Sequence, residues 1–477
     1  MPSIRVVLLP CLALLLAIPA AAAAPRVAGE PSRTPVTKSV TAWRAEAVPA
    51  HAVARLHYDE MSAERIFDLQ QSNAGRVGKP LQIGIAREAA DESAARGLPA
   101  LQWMRQGDGA AIARLELVSP LAYGIRAGLR IRGLDPRAEL RFSGSAHPDL
   151  PVATLSAGQA AALPGDDGLF WTPMTEGERQ VIDIRLPPGA STAGATVQAP
   201  RLSHLMTNAT DKFRILKNIG ASGSCNFDVI CRLDELGPHF ASARASVARM
   251  VFVKDGGSYF CTGTLLNDTD QATQVPWFHT AHHCIATAAV AATLDTYWHY
   301  ESTTCNIDTA ADWVLLSGGA DYLYSSEATD GALLRLRDDA PAEATFAGWD
   351  AGPLPASTAV TAIHHPEGDL KKVSFGQHLP ARSDASSHAA GWLEGTTEPG
   401  SSGSGLFTRD DATGYYLRGG LHGGNAMCSN SGSLSNTNNV DWYSRFDVDF
   451  PGIEQYLAPE APAAPRRRNG SQPLAPR

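Results

Sequence analysis

The sequence predicts an all-β protein in two successive units, a β-sandwich-like amino-terminal half and a cysteine-bearing carboxyl-terminal half. Three observations predict it. Short apolar alternations run through both halves, separated by Gly, Pro and Asp turns. Every cysteine except Cys11 lies at or beyond Cys225. The composition, 44% hydrophobic and 19% charged over 477 residues, is that of a globular chain long enough for more than one core. A net charge of −9 gives no basic surplus for nucleic acid, so none is expected as a partner.

Residues 1–24 read as an export signal. Arg5 precedes an apolar run from Val6 to Ile18, and the alanine-rich "AIPAAAAAPR" follows, with cleavage expected near Ala24. An uncleaved membrane anchor is the alternative. Pro10, Pro19 and the small-residue pattern oppose it, and no second stretch is long and apolar enough to span a bilayer. Cys11 sits after Pro10, a poor setting for a lipid anchor. The expected product is secreted and has no membrane partner after signal removal. Six cysteines then remain: Cys225, Cys231, Cys261, Cys284, Cys305 and Cys428. An even set in an exported protein reads as disulfides, and spacing alone does not choose the pairs.

Residues 25–217 form the next expected unit. From about 113 it carries "ARLELVS", "YGIRAGLRIRGL", "AELRFSG" and "VIDIRLPPG", the alternation of a β-sandwich. A helix is expected within 59–72. Nothing in this half has the look of a catalytic site. The segment "TDKFRILKNIGASGSC" then brings Lys212, Arg214 and Lys217, either as an exposed basic linker or as a processing site. Residues 218–458 return to short strands, and the Pro/Arg-rich 459–477 is expected to be disordered.

Chemistry concentrates in two short stretches. "WFHTAHHCIAT" raises a metal site from His279, His282 and Cys284 as one reading, but no H-E-x-x-H occurs and no metal or cofactor is expected. The other reading is a single basic histidine. "TEPGSSGSGLF" holds Gly400-Ser401-Ser402-Gly403-Ser404, a turn in which flanking glycines expose a hydroxyl and aim N–H groups inward. A serine nucleophile needs a base for its proton and N–H donors for the oxyanion. An α/β-hydrolase would want G-x-S-x-G, and Ser404 stands where the last glycine belongs.

"TAHHC" resembles the T-A-x-H-C pattern of trypsin-fold serine proteases, which makes His283 the base. "EATDGALLRLR" resembles that family's D-x-x-L-L-x-L, which makes Asp330 the carboxylate, in the order His283, Asp330, Ser402. The resemblance is closer still to bacterial lysyl endopeptidases. "GASGSCNFDVIC", "TAHHC", "ATDGALLRL", "AGWD", "AIHHP", "TEPGSSGSGLF" and "LHGG" follow in their order from about Gly220 to about Phe446. The resemblance implies a trypsin-like double β-barrel for 218–458, preceded by a propeptide in 25–217, which is the expected intramolecular partner of a zymogen. It implies disulfides Cys225–Cys428, Cys231–Cys305 and Cys261–Cys284, an oxyanion hole from the N–H groups of Gly400 and Ser402, and protein or peptide substrates paired along "GLHGG" with His422 and Gly423.

Two departures from trypsin bear on function. Ser401 replaces the aspartate that switches trypsin on, so that activation switch is expected to be absent. Thr396 replaces the aspartate at the floor of its specificity pocket, and Asp441 in "NVDWYSRF" takes that role by the resemblance, giving cleavage after lysine. No tryptophan lies between Pro366 and Gly391 to stack on His422, which leaves arginine admissible beside lysine. His364 and His365 of "AIHHP" are expected to be structural or solvent-facing. The alternative function is a non-catalytic exported binding protein on a protease scaffold.

Overall fold

The computed structural model describes residues 24–35, 48–73, 78–93, 99–148, 152–165, 167–210 and 222–459. The expected signal through residue 23, the basic segment 212–217 and the tail from 460 lie outside the described residues. Among them, no helix is long and apolar enough to cross a membrane.

The amino-terminal half is a two-sheet sandwich. One sheet runs Ala153–Ser156, Glu139–Gly144, Arg179–Leu186, Ala111–Val118, Val53–His57, and the other runs Phe170–Trp171, Gly124–Arg132, Thr196–Leu205, Gly84–Glu88. Strand Arg179–Leu186 shows how the sequence builds it. Ile182, Ile184 and Leu186 point into the core, while Asp183 points outward and pairs with Arg114 opposite it on the neighbouring strand at 2.6 Å. Leu115, Leu117, Ile125, Leu129, Phe142 and Leu202 fill the space between the sheets. The helix of this half spans Ala63–Ser72, and the Ser62 hydroxyl caps it by accepting from the Arg65 N–H.

The carboxyl-terminal half holds two β-barrel units. The first orders its strands Val314–Leu316, Asp295–Trp298, Val247–Lys254, Gly257–Leu266, Trp277–Ala281, Gly331–Leu336, Ala320–Ser325. The second closes on itself, because Gly414–Gly424 pairs with Gly405–Asp410 on one side and Asp441–Ser444 on the other. Between those two, Ala359–His364, Lys372–His378 and Ser387–Glu394 complete the ring. Closure removes the edges that an open sheet would expose. Helix Phe446–Leu457 packs Phe446, Phe450, Ile453 and Leu457 against Trp349 and Leu333, joining the barrels. Three disulfides, Cys225–Cys428, Cys231–Cys305 and Cys261–Cys284, staple this half.

The halves share a core of Leu81, Ile83, Met174, Leu205 and Met206 from the sandwich with Val251, Phe260, Tyr297 and Tyr300 from the first barrel and Leu370 from the second. Arg126 of the sandwich reaches into the barrel and donates to the Thr293 carbonyl at 2.8 Å, beside Asp295. Residues 25–34 do not join the sandwich; Arg26–Val27 pairs with Gly348–Asp350 at the outer edge of the second barrel's sheet, and Glu30–Pro31 pairs with Thr345–Phe346. Their sequence gives no apolar alternation that would assign them to either half.

Candidate active site

The histidine and aspartate meet through strand register. Ala281 pairs with Gly331 across Trp277–Ala281 and Gly331–Leu336, so the residues beyond each strand end face one another. His282 N–H donates to the Asp330 carbonyl at 2.8 Å, and His283 N–H donates to Asp330 Oδ1 at 2.9 Å. The His283 ring then meets Asp330 Oδ2 through Nδ1 at 2.6 Å. A carboxylate on Nδ1 fixes that nitrogen as the donor and leaves Nε2 as the basic one. Asp330 holds this pose with φ at +66°, in a turn closed by its N–H on the Ser326 carbonyl at 2.8 Å. Both side chains are over nine-tenths buried, and His283 Nε2 has no hydrogen-bond partner among the described residues.

The serine turn is anchored from both sides. N–H groups of Ser401, Gly403 and Ser404 are taken by the carbonyls of Glu398, Leu421 and Ser401. Those of Gly400 and Ser402 donate to no group among the described residues. Gly403 has φ at +80°, and a Cβ there would lie 2.2 Å from Thr280 Oγ1. Only glycine lets the turn press onto the strand that leads to His283. Thr262 completes the junction: its N–H donates to the Ser402 carbonyl at 2.8 Å and its hydroxyl to the Gly400 carbonyl at 3.0 Å. Its neighbour Cys261 is bonded to Cys284, next to His283. These links bring the serine and histidine loops together. Ser402 Oγ and His283 Nε2 do not share a hydrogen bond in this structure.

A small cavity beside Ser402 is lined by Thr397, Glu398, Pro399, Leu421, Gly423, Gly424, Ala426 and Asp441. Asp441 is 1% exposed. Its Oδ2 accepts from the Trp392 indole at 2.6 Å and the Thr397 hydroxyl at 2.7 Å, and the Ala426 N–H reaches Oδ1 at 3.3 Å. A Cβ on Gly424 would sit 2.2 Å from Oδ1, so glycine there leaves that oxygen room toward the cavity. Thr396 stays fully buried behind it and offers its carbonyl to Ser374.

His422 lies beside His283, ring centroids 6.0 Å apart. Burial holds its pKa below the ordinary value, opposed by the Asp330 charge. His364 and His365 are both fully buried, not solvent-facing. His364 Nδ1 bonds Ser401 Oγ at 2.8 Å and its Nε2 bonds Ser374 Oγ at 3.1 Å, so a neutral ring holds the residue before Ser402. Burial pushes the His364 pKa down to about 3. His279 is buried beside Phe446, and His282 bonds Ser325 Oγ at 2.7 Å. Cys261, His283 and Cys284 cluster within 4.8 Å, but the two sulfurs are bonded to each other and offer no thiolate.

Sequence reasoning missed three parts of the site. Trp392 lies one residue beyond the window searched for a tryptophan, and its indole serves Asp441 rather than His422. The His364–Ser401 bond had no local signal. The third is where the sandwich half, expected as an intramolecular partner, makes contact: Leu81–Gln82 pairs with Tyr259–Phe260, and the Gly78 N–H reaches the His422 carbonyl at 3.3 Å.

Comparison with known proteins adds five findings. The family model described as lysyl endopeptidase, C-terminal domain, matches residues 219–444, and that described as lysyl endopeptidase N-terminal domain matches 57–206. Over 424 residues the chain is 32% identical to a lysyl endopeptidase of Pseudomonas aeruginosa, spanning 86% of this chain and 88% of that protein. Similar solved structures include a thermostable serine protease, AL20, from an extremophilic microorganism, at 14% identity and TM-score 0.32, covering 46% of this chain and 97% of that one. They also include an inactive mutant form of Rv3671c from M. tuberculosis H37Rv, at 13% identity and TM-score 0.29, covering 48% and 93%.

Proposed function

The chain belongs to the lysyl endopeptidase family and is a serine endopeptidase, and from that premise we propose that Ser402, His283 and Asp330 cleave peptide bonds after lysine in a secreted enzyme made as a precursor. One observation carries the reading: the candidate nucleophile Ser402 and the buried carboxylate of Asp441 line the same small cavity.

In this reading His283 Nε2 takes the Ser402 proton as the hydroxyl attacks the carbonyl carbon. The Asp330 carboxylate at 2.6 Å steadies the imidazolium. The N–H groups of Gly400 and Ser402 receive the oxyanion. The proton passes to the leaving amine, an acyl-enzyme remains, and water releases it. The reading requires a Ser402–His283 hydrogen bond that the structure lacks; such bonds commonly tighten only when substrate is bound.

Asp441 favours lysine over arginine. Oδ2 already accepts two short hydrogen bonds, from Trp392 and Thr397. A guanidinium fork gains most from both oxygens of one carboxylate, whereas an ammonium is a point charge that one oxygen satisfies. The sandwich half supports the precursor reading, since its Gly78 N–H reaches the His422 carbonyl and its Leu81–Gln82 pairs with Tyr259–Phe260, next to the Cys261 that is bonded to Cys284.

The test is Ser402→Ala against wild type on esters bearing Lys, Arg, Phe and Glu before the scissile bond. Wild type is expected to turn over the lysine ester fastest and the variant to turn over none. A variant that still hydrolyses the panel removes Ser402 as nucleophile. Amino-terminal sequencing of the secreted form, expected to begin near 218–220, tests the precursor.

A further inference from the structure

The first described residues form a separate attachment. Arg26–Val27 pairs antiparallel with Gly348–Asp350, and Glu30–Pro31 with Thr345–Phe346. The Ala351 N–H donates to the Pro25 carbonyl at 3.0 Å, and the Ser32 N–H to the Ala344 carbonyl at 2.8 Å. The Asn267 amide donates to the Ala28 carbonyl at 2.9 Å, and the Gln274 amide reaches Glu30 at 2.8 Å and the Pro31 carbonyl at 2.9 Å. Arg26 stacks its guanidinium 3.7 Å above the Tyr416 ring and pairs with Asp410 at 2.9 Å. A Cβ on Gly348 would lie 2.6 Å from the Val27 carbonyl, so the two backbones touch at a spacing no side chain permits. Gly348–Asp350 pairs on its other side with Gly414–Gly424; without the arm it is the outermost strand, with its free N–H and C=O groups bare. Main-chain pairing plus a notch for one side chain is the pattern of strand addition.

We propose that this edge is a strand-addition docking site for an extended, arginine-bearing peptide, which the chain's own residues 25–34 fill, holding the sandwich half to the protease half at a place apart from the active-site cleft. The consequence for maturation rests on the precursor reading above. A leader tied at two places stays bound after the connection between halves is cut, because release of one contact leaves the other to return it. Two linked contacts typically exceed either alone by 10²–10⁴-fold, so loss of the arm is expected to weaken retention by roughly 100-fold.

The docking site is tested in a chain lacking residues 25–35, to which a fluorescein-labelled peptide PRVAGEPSRTP is added and followed by anisotropy. Saturable binding is expected, weakened at least about tenfold by Arg26→Ala in the peptide and by Gly348→Val in the protein. No saturable binding, or indifference to both substitutions, overturns the proposal. If the deletion chain does not fold, amide exchange in full-length Arg26→Ala decides: exchange over 26–32 is expected to quicken about tenfold, and unchanged rates overturn it. Retention is read by gel filtration of a Ser402→Ala chain nicked by added wild-type enzyme. Equal release with and without the arm overturns two-point attachment. Failure of wild type to nick overturns the precursor reading instead, and the peptide titration still decides the docking site.

Discussion

Replacing Asp441 by asparagine changes one charge and little else. The side chain keeps an acceptor for the Trp392 indole at 2.6 Å and the Thr397 hydroxyl at 2.7 Å, so the cavity wall should stand. What disappears is the negative charge at a site 1% exposed. A buried, hydrogen-bonded charge pair loses about 2–5 kcal/mol when one partner is neutralised. At about 1.4 kcal/mol per tenfold, kcat/KM on a lysine ester should fall by roughly 30- to 5,000-fold. The phenylalanine ester, which brings no charge to the cavity, should change by less than about threefold. The loss should exceed that on the arginine ester, because both oxygens of the wild-type carboxylate already hold hydrogen bonds, which hinders a guanidinium fork more than a point-charge ammonium. The assay is steady-state turnover of the ester panel, with thermal melting to check that the fold is kept. A lysine-to-phenylalanine ratio equal to wild type in a folded Asp441→Asn enzyme would refute the placement of substrate lysine against this residue.

Gly403→Ala should be among the most damaging small substitutions, since it adds a methyl 2.2 Å from Thr280 Oγ1 at φ +80°; a stability loss of at least about 1–3 kcal/mol is expected by denaturant unfolding, with loss of turnover. Trp392→Phe removes one donor from Asp441 Oδ2, and the lysine-over-arginine ratio should narrow about tenfold on the ester panel as that oxygen becomes able to serve a guanidinium. Asp449 lies behind the Asp330 turn, accepts from Thr329 at 2.6 Å and Tyr324 at 3.0 Å, and has its pKa raised to about 6 by burial, with Asp447 and Asp330 adding to the rise. The folded protein therefore holds this proton more tightly than the unfolded chain. Relative to Asp449→Asn, wild type should gain stability as pH falls from about 6 to about 4 and lose that gain as pH rises, by up to about 3 kcal/mol. Melting curves of both proteins across that range give the difference, and parallel curves would remove the ionisable role of Asp449.

The all-β class, the two halves and the helix near 63–72 were legible because they rest on local periodicity: apolar side chains every second residue, punctuated by Gly and Pro. The candidate site was legible in fragments for a related reason. A tight serine turn demands glycine at 400 and 403, and a base next to a cysteine leaves a short motif. Of the two expectations for His364 and His365, the structural one holds; the sequence could not choose it because burial depends on what packs over "AIHHP", and Ser401 and Tyr300 come from distant segments.

The sequence by itself marked the candidates: His283, Asp330 and Ser402 in short motifs, and Asp441 through the family resemblance. The tertiary structure alone decided how they are held. The Ala281–Gly331 register sets His283 against Asp330, and Trp392 reaches Asp441 across 49 residues of chain. Residues 25–34 lie across both barrels, where their hydrogen bonds go to Asn267 and Gln274 of the first and to the 344–351 segment. The reason is physical: periodicity and turn chemistry act over a few residues, whereas a hydrogen bond between distant segments exists only after both barrels have closed and fixed the distance between donor and acceptor.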